Sequence, residues 1–363
     1  MLFKYSFVPI MTMEIDGVSV DISFASLPSY PFKLPEFLDI LSNDILRNVS
    51  EHTLHSLTGC RCTEFVIQKL RSENKLDIFR QTFFGIRFFT KQYKIYKNVM
   101  GYLGGVNITI LLASTNLLEN DFLTNTFHFF HFVADHLGSE IIAMTPQLSF
   151  PELGFDEENW SDKPSNFSNH DSLVLLTPTY PRMNTARTIS RSSLQFIRSQ
   201  ARRVYEKIKS YVDGESTLLQ MVEPYQFFEG FPIYFEVLVS ASANSEFKDW
   251  LGLVESKIRY LVFFLSLRIE NVALNPNPIV SKSNSNAACF YIGLTVDLTK
   301  ATTLDLSQCV NDFIDIVRLQ QPKTARLGLR IRYREELKEL KETIPKSWEE
   351  FAEKEEFCDI LEE

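Results

Sequence analysis

The stretch RLGLRIRYR, residues 326–334, alternates between basic or small side chains and apolar ones. This period of two is typical of a β-strand that packs one face on a core. The other face would present arginines at alternate positions about 6.6 Å apart, namely Arg326, Arg330, Arg332 and Arg334. Such a stripe can follow the phosphates of a nucleic acid, or it can protect an exposed edge strand from unwanted pairing. The pattern alone does not decide between the two.

Before this strand, segments with the hydrophobic pattern of a strand follow one another in turn with segments that have the pattern of a helix. Strand patterns cover 233–240 and 290–296, and helical patterns cover 247–265 and 307–318. The resulting β-α-β-α-β order predicts an α+β domain of ferredoxin-like type from about residue 214 onward. The charged, mostly acidic tail that follows residue 335 is helix-prone, and its composition favours partial disorder.

The middle of the chain is predicted to be helical, with patterns at roughly 50–58, 63–71, 77–97, 105–118 and 121–137. Ser190 or Ser192 is suited to cap a further helix that runs to about residue 212 and stops before Gly214. Arg198 and Arg202 lie off the apolar stripe of that helix. The polar segment 149–172, which contains Pro151 and Pro164, is expected to be a long surface loop.

Near the N-terminus, residues 18–24 alternate between apolar and polar side chains and place Asp21 on the polar face. Asp16 and Gly17 supply a turn, so this strand and the preceding run at 5–13 are predicted to form a hairpin. A carboxylate on an open strand face can hold Mg²⁺. Solvent-facing aspartates without a ligand are also common at such positions.

Composition and charge exclude several classes of protein. The chain has 363 residues, enough for two or three domains, and its formal net charge of −9 excludes a uniformly basic nucleic-acid binder while leaving local basic stripes open. The five cysteines are scattered without a CxxC pair, which fits a reducing compartment. The longest apolar stretch is far below the ~20 residues that span a bilayer. We expect a soluble intracellular protein.

Two local clusters stay ambiguous on pattern alone. Gly104 and Gly105 precede an apolar helix, where backbone N–H groups can meet phosphate, although a turn between two helices also explains them. His128, His131 and His136 lie close together in sequence without an HExxH pattern, so surface histidines are favoured over a metal site.

Six regions taken together resemble the eukaryotic nuclear poly(A) polymerase family. They read GVSVDISFA (17–25), LRNV with LTGCRCT (46–49 and 57–63), IYKNVMGYLGGV (95–106), LTPTYPRMN (176–184), WLGLVESKIR (250–259) and FYIGL (290–294). Their order and spacing agree with the family over nearly the whole chain, and the set is therefore far more specific than any one motif.

The resemblance implies a fold and an activity. It implies a partial nucleotidyltransferase palm at 1–70, a helical central domain at 71–213, an RRM-like RNA-binding domain at 214–335 and an acidic tail at 336–363. The implied activity is template-independent addition of AMP from ATP to RNA 3′ ends in the nucleus, with Mg²⁺ or Mn²⁺ as cofactor. ATP and the RNA 3′ end are the implied partners, cleavage-and-polyadenylation factors are left open, and a monomer is expected.

The resemblance also assigns roles to individual residues. Asp21 becomes a catalytic, metal-binding carboxylate, and the triphosphate position, where the family carries Lys, is held here by Arg87. The remaining nucleotide-site positions are Thr58 (Asn in the family), Tyr96, Asn98, Gly104, Gly105 and Val106. The implied RNA contacts are Arg198, Arg202, Arg326, Arg330 and Arg332.

Several positions depart from the family pattern. Arg87 keeps a positive charge but presents a planar fork instead of a point charge, and Asn107-Ile108 stands where Ser-Trp or Ala-Trp is usual. The family's GS loop and paired D-x-D metal ligands do not occur in the sequence. We therefore expect that the 363-residue chain by itself does not catalyse adenylation. The alternative reading is a catalytically inactive RNA- or protein-binding module.

Overall fold

A β-hairpin comes first among the residues that the computed structural model describes, which are 10–30, 38–114, 118–146, 150–155, 172–281, 284–296 and 304–337. Strands β1 (Ile10–Ile15) and β2 (Val18–Ser23) pair antiparallel around Asp16 and Gly17, whose φ angles are 51° and 87°. The predicted strand with Asp21 and the predicted turn are confirmed. Residues 5–9 of the predicted partner strand lie outside the described residues.

One long helix, α1 (Glu51–Ser72), replaces the two helices predicted at 50–58 and 63–71. The predicted break was wrong because a glycine inside a helix costs only about 1 kcal/mol, and Gly59 is followed by buried Cys62, Val66 and Leu70. The helix begins after Ser50, whose side chain accepts a hydrogen bond from the Thr53 backbone N–H.

Four more helices form the middle of the chain: α2 (Leu76–Gln92), α3 (Gly105–Ser114), α4 (Phe122–Asp135) and α5 (Arg191–Val212). Helix α2 ends five residues before its predicted end, because Lys94 and Lys97 have positive φ angles of 60° and 112° that a helix cannot continue through. The predicted cap of α5 is confirmed at Ser190, which accepts a hydrogen bond from the Ser193 N–H. Gly214 has a φ of 76° after the last turn.

Short elements join these helices. A parallel pair, β3 (Ile142–Ala143) and β4 (Leu175–Leu176), lies beside α3, and α6 (Leu218–Val222) follows α5. Most of the loop predicted at 149–172 lies outside the described residues. Its described part contains a single 3₁₀ turn at Pro151–Leu153.

The C-terminal part is an antiparallel sheet with two helices. Its elements are β5 (Ile233–Ser240), α7 (Asn244–Ser266), β6 (Asn271–Leu274), β7 (Ile279–Val280), β8 (Ala287–Thr295), α8 (Ser307–Arg318) and β9 (Arg326–Tyr333). The strand order is β6-β8-β5-β9, with β7 paired to β8, and every neighbouring pair is antiparallel. The α+β class is confirmed. The predicted order omitted β6 and β7, which have four and two residues and are too short to show a period.

The helices and the sheet share one continuous core. Buried side chains from α1 at Cys62 through to Leu337 after β9 belong to a single hydrophobic cluster. The buried Tyr102 hydroxyl joins the helical part to the sheet, because it donates to Leu274 O at 2.7 Å and accepts from Leu274 N at 2.9 Å. A second, smaller core around Leu46, Leu54 and Tyr180 lies under the N-terminal half of α1. Across the described ranges, every helix is too short or too polar to cross a bilayer.

Candidate functional site

A cavity of about 500 Å³ opens between α1 and the α2–α3 pair. Its inner walls are apolar, from Val66 and Leu70 on α1 and from Phe79 and Phe83 on α2. Its polar lining includes Thr58, Arg80, Thr109, Thr177, Asn184 and Thr185. The volume lies in the range of small-molecule sites, which combine apolar walls with a few polar groups.

Two cations face one aromatic ring beside this cavity. Arg87 and Lys91 are one helical turn apart on α2, so both reach the Tyr96 ring, at 5.4 Å and 5.1 Å from its centroid. Burial, and then the charge of Arg87, lower the pKa of Lys91 to about 8. A Cβ on Gly105 would lie 3.8 Å from Tyr96 Oη and 3.9 Å from Phe83 Cζ, so the Tyr96 hydroxyl and the lining residue Phe83 both lie beside Gly105.

The loop between Tyr96 and α3 is held by the buried Asn107. Its Oδ1 accepts from Gly104 N at 2.7 Å and from Asn98 Nδ2 at 3.1 Å. Its Nδ2 donates to Thr185 O at 3.1 Å and Thr185 Oγ1 at 2.9 Å. A Cβ on Gly104 would lie 3.0 Å from Asn98 Cβ, a tight contact that would push the two residues slightly apart. The Gly104 N–H proposed for phosphate is thus engaged by a side chain.

Thr58 and Val106 line opposite sides of the cavity. The Thr58 hydroxyl donates to Leu54 O at 3.0 Å and lies 3.8 Å from Met183 Sδ, so it is directed along its own helix. Val106, at the first turn of α3, is 51% exposed and adds an apolar side chain to the cavity lining. Thr58 and Val106 therefore line one cavity, whereas Gly105, Arg87 and Tyr96 are not among the described residues of its lining.

Asp21 is not among the described residues that line the cavity. Its Oδ1 accepts a hydrogen bond from Thr12 Oγ1 at 2.6 Å across the hairpin, and the side chain is exposed. Within the described ranges, no group of three or more His, Cys, Asp or Glu side chains is placed to hold a metal ion. A single carboxylate does not make a site for two divalent ions, so no chemical step is assigned to a metal here.

The two arginines predicted on α5 contact the end of α4. Arg198 donates to Ala134 O and Asp135 O, each at 3.1 Å. Arg202 pairs with the Asp135 carboxylate, which also lies 3.1 Å from His131 Nε2. Cations at a helix C-terminus satisfy its last carbonyls and interact favourably with its dipole. Both side chains therefore have a structural contact in addition to the RNA role predicted for them.

Two arginines of the stripe on β9 pair with a buried carboxylate on the neighbouring strand β5. Glu236 on β5 has a side chain that is 2% exposed, and its two oxygens pair with Arg330 Nε at 2.6 Å and Arg332 Nε at 3.4 Å. Arg334 Nε donates to Phe231 O at 2.8 Å. Arg326 lies at the far end of the strand and is exposed. The stripe is confirmed as one face of a strand, and part of its charge is neutralised by Glu236.

Sequence reasoning missed Lys91 and Arg80. Lys91 had a usable signal, because a position four residues after Arg87 lies on the same face of the α2 helix. No sequence signal pointed to Arg80, since its place in the cavity lining depends on how α1 and α2 pack.

Three protein-family models match consecutive parts of the chain. The family model described as "Poly(A) polymerase nucleotidyltransferase domain" matches residues 2–70, "Poly(A) polymerase central domain" matches 78–224, and "Poly(A) polymerase predicted RNA binding domain" matches 226–279. The cavity therefore lies where the first two matches meet, with α1 on one side and α2 and α3 on the other.

Three curated relatives are similar over most of the chain. Nuclear poly(A) polymerase 1 of Arabidopsis thaliana is 28% identical over 317 residues, which is 84% of this chain and 43% of the relative. Poly(A) polymerase of Dictyostelium discoideum is 26% identical over 347 residues, 91% of this chain and 42% of the relative. Nuclear poly(A) polymerase 4 of Arabidopsis thaliana is 28% identical over 296 residues, 79% of this chain and 38% of the relative.

The fold and the cavity define a multidomain α+β protein with a ligand-sized cleft between its first two parts. The chain belongs to the poly(A) polymerase family. It spans about two fifths of the length of the curated relatives it matches.

Proposed function

We propose that this protein is a polynucleotide adenylyltransferase of the nucleus, which adds AMP from ATP to RNA 3′ ends in mRNA polyadenylation. The observation that carries the proposal is the cleft of about 500 Å³ at the junction of the nucleotidyltransferase and central matches. Helix α2, which forms part of its wall, also carries Arg87 and Lys91 against the Tyr96 ring. Nuclear localisation is supported by the names of the Arabidopsis relatives.

ATP binding in this cleft uses chemistry suited to each part of the nucleotide. The adenine ring packs on Val106 and the apolar wall of the cleft, where Thr58 and Thr185 are part of the lining. The triphosphate is held by Arg87 and Lys91, whose charges are already partly desolvated against Tyr96. Charge-assisted hydrogen bonds of this kind are about twice as strong as neutral ones. Asn98 fixes the loop that carries Gly104 and Gly105.

The reaction is attack of the RNA 3′ hydroxyl on the α-phosphate of ATP, with pyrophosphate as the leaving group. Catalysis of such a transfer depends on positioning and on stabilising the phosphoryl charge. In this chain those tasks fall to Arg87 and Lys91, and Asp21 is proposed as one carboxylate near the Mg²⁺ or Mn²⁺ that the family uses.

RNA binding is assigned to the RRM-like C-terminal domain and to helix α5. The strand order β6-β8-β5-β9 with two helices is that of a β-α-β-β-α-β unit. Arg326, Arg330 and Arg332 share one face of β9, and the triad with Glu236 keeps a net charge of one because two arginines face one carboxylate. Arg198 and Arg202 add charge on α5. The proposed domains are 1–70, 71–213 and 214–335, acting as a monomer.

The test is RNA extension by the native protein, captured from its source cells with an antibody against residues 214–335. With ATP and Mg²⁺ or Mn²⁺, an oligoadenylate with a free 3′ hydroxyl is expected to grow into a ladder. The same RNA ending in a 3′-deoxynucleotide is the matched control and should not grow. Native protein that leaves both RNAs unchanged contradicts the proposed function.

A further inference from the structure

The α2–α3 loop, residues 93–104, has a backbone shape that its own sequence does not favour. Lys97 has a φ of 112°, a value that residues with a side chain rarely adopt. The backbone folds back here, since Lys97 N donates to Leu103 O at 2.8 Å and Leu103 N donates to Ile95 O at 3.2 Å. Such conformations persist only where surrounding contacts hold them. Three residues assigned to the nucleotide site lie in this loop: Tyr96, Asn98 and Gly104.

Helix α7 holds one side of the loop. Lys97 Nζ pairs with Glu255 Oε1 at 2.8 Å, and the two side chains are 35% and 24% exposed. Arg259, one helical turn after Glu255, donates from Nη1 to Val99 O at 3.4 Å. A Cβ on Gly101 would lie 3.9 Å from Arg259 Cβ, so the loop backbone lies directly against the helix. Glu255 and Arg259 both belong to the motif WLGLVESKIR at 250–259.

The sheet holds the same loop from a second direction, through the two hydrogen bonds between the Tyr102 hydroxyl and the Leu274 backbone on β6. The loop belongs to the part matched by the central-domain model, at 78–224. Its anchors on α7 and β6 belong to the part matched by the RNA-binding-domain model, at 226–279. The C-terminal part of the chain therefore sets the shape of a loop in the central part.

We infer that Glu255 is a positioning residue for the nucleotide, which acts through Lys97. Lys97 directly follows Tyr96 in the chain, so a change at its backbone moves the ring that Arg87 and Lys91 face. Glu255 is not among the described residues that line the cleft. The contact with Lys97 thus gives α7 a way to control the affinity of the cleft for ATP. This inference rests on the proposed function, because ATP is its ligand.

The experiment measures ATP binding to the full chain by titration calorimetry. Glu255→Gln should weaken ATP binding about fivefold, the lower end of the range for coupling between distinct sites. Long-range electrostatics alone predicts the opposite, because the variant removes a negative charge that repels ATP. Asp249→Asn, exposed on the same helix, makes the same change of charge and is the matched control. It should bind ATP no more weakly than the unmodified chain does.

Lys97→Gln and the double variant complete a thermodynamic cycle. Each single substitution breaks the same contact, so the double variant should lose about as much affinity as Glu255→Gln alone. Losses that add would overturn the inference, since the two residues would then act separately. Tighter ATP binding by Glu255→Gln would also overturn it, because the released Lys97 would then be binding phosphate itself.

Hydrogen–deuterium exchange without nucleotide tests the loop independently of ATP. The Lys97 and Leu103 amides should exchange faster in Glu255→Gln than in Asp249→Asn. The midpoint of urea unfolding should match in the two variants, because partly exposed ion pairs contribute little to global stability.

These readouts separate failure of the inference from failure of the proposed function. If the unmodified chain binds ATP and Glu255→Gln binds it equally well, the role of Glu255 is overturned and the proposed function stands. If the unmodified chain does not bind ATP, the proposed function fails and exchange decides the contact. Faster exchange in Glu255→Gln then supports control of the loop by α7, and unchanged exchange overturns it.

Discussion

Asn107 Oδ1 accepts a hydrogen bond of 2.7 Å from the backbone N–H of Gly104. The contact closes the loop between Tyr96 and α3, and the rest of the Asn107 amide ties that loop to Thr185. A buried amide therefore supports this loop, and its fixing depends on one polar side chain.

Asn107→Ala should destabilise the protein by about 2 kcal/mol, because it leaves the Gly104 N–H without its partner and removes the two hydrogen bonds that the amide donates to Thr185 in a partly buried place. The free energy of unfolding from urea denaturation measures this change. The matched control is Asn120→Ala at an exposed position, which should stay within about 0.5 kcal/mol of the unmodified protein. Equal stabilities for the two variants would show that the amide network does not support the loop.

Arg61→Ala should also be destabilising, for a different reason. The Arg61 side chain is buried and donates to Ile40 O at 2.6 Å, Ser42 O at 2.9 Å and Asn43 Oδ1 at 2.7 Å. Its removal leaves those acceptors unpaired and should lower the free energy of unfolding by about 3 kcal/mol. Arg71→Ala, exposed on the same helix, is the control. A loss no larger than that of the control contradicts the assigned role.

ATP affinity should fall as pH rises through the pKa of Lys91, which is about 8. Below that pH the ammonium is charged and attracts the triphosphate; above it the charge is lost, while Arg87 stays charged. Bound phosphate raises the pKa of Lys91, so ATP affinity declines over a range of pH that begins near 8. The affinity should be about tenfold lower by pH ~10. Titration calorimetry at several pH values measures this change in ATP affinity.

Two variants isolate that effect from other titrating groups. Lys91→Arg should bind ATP equally well across the range, since the guanidinium does not titrate there. Lys91→Met should bind weakly at neutral pH with a flat profile. The assignment to Lys91 is wrong if Lys91→Met keeps the pH dependence of the unmodified chain.

Arg330→Ala combined with Arg332→Ala should destabilise the sheet by about 3 kcal/mol, because Glu236 would remain buried without a counter-charge. Adding Glu236→Gln to this pair should recover much of the loss, since the buried group would then be neutral. Arg326→Ala is the matched control on the same strand and should change stability by less than about 0.5 kcal/mol. If the triple variant is no more stable than the double, the arginines act through something other than Glu236.

Much of the fold follows from periodicity in the sequence. The predicted bounds of Ile233–Ser240, Ser307–Arg318 and Arg326–Tyr333 are those of the structure. The first is a short apolar run, the second repeats apolar residues every four positions at Cys309, Phe313 and Val317, and the third alternates polar and apolar residues. Elements with few residues, such as Asn271–Leu274, carry no period and were missed. The predicted break in α1 near Gly59 was wrong, because the packing of the helix outweighs the low helix propensity of glycine.

The candidate site was predictable only in part. Thr58, Tyr96, Val106 and Arg87 came from motifs; the structure places Thr58 and Val106 in the lining of one cleft and sets Arg87 over the Tyr96 ring. What the sequence could not provide was the partner of each charged group. The pairing of Arg330 with Glu236, and of Arg202 with Asp135, joins residues 94 and 67 positions apart and depends on tertiary packing.

The most direct test of the central claim is equilibrium binding of ATP to the full chain by titration calorimetry. The unmodified chain should bind ATP at one site, and Arg87→Glu should weaken that binding at least tenfold, since a charge-assisted contact to phosphate becomes a repulsion. Arg71→Glu, on the exposed side of α1, should bind as the unmodified chain does. Failure of the unmodified chain to bind ATP, or equal affinity in the two variants, would contradict a nucleotide site in this cleft.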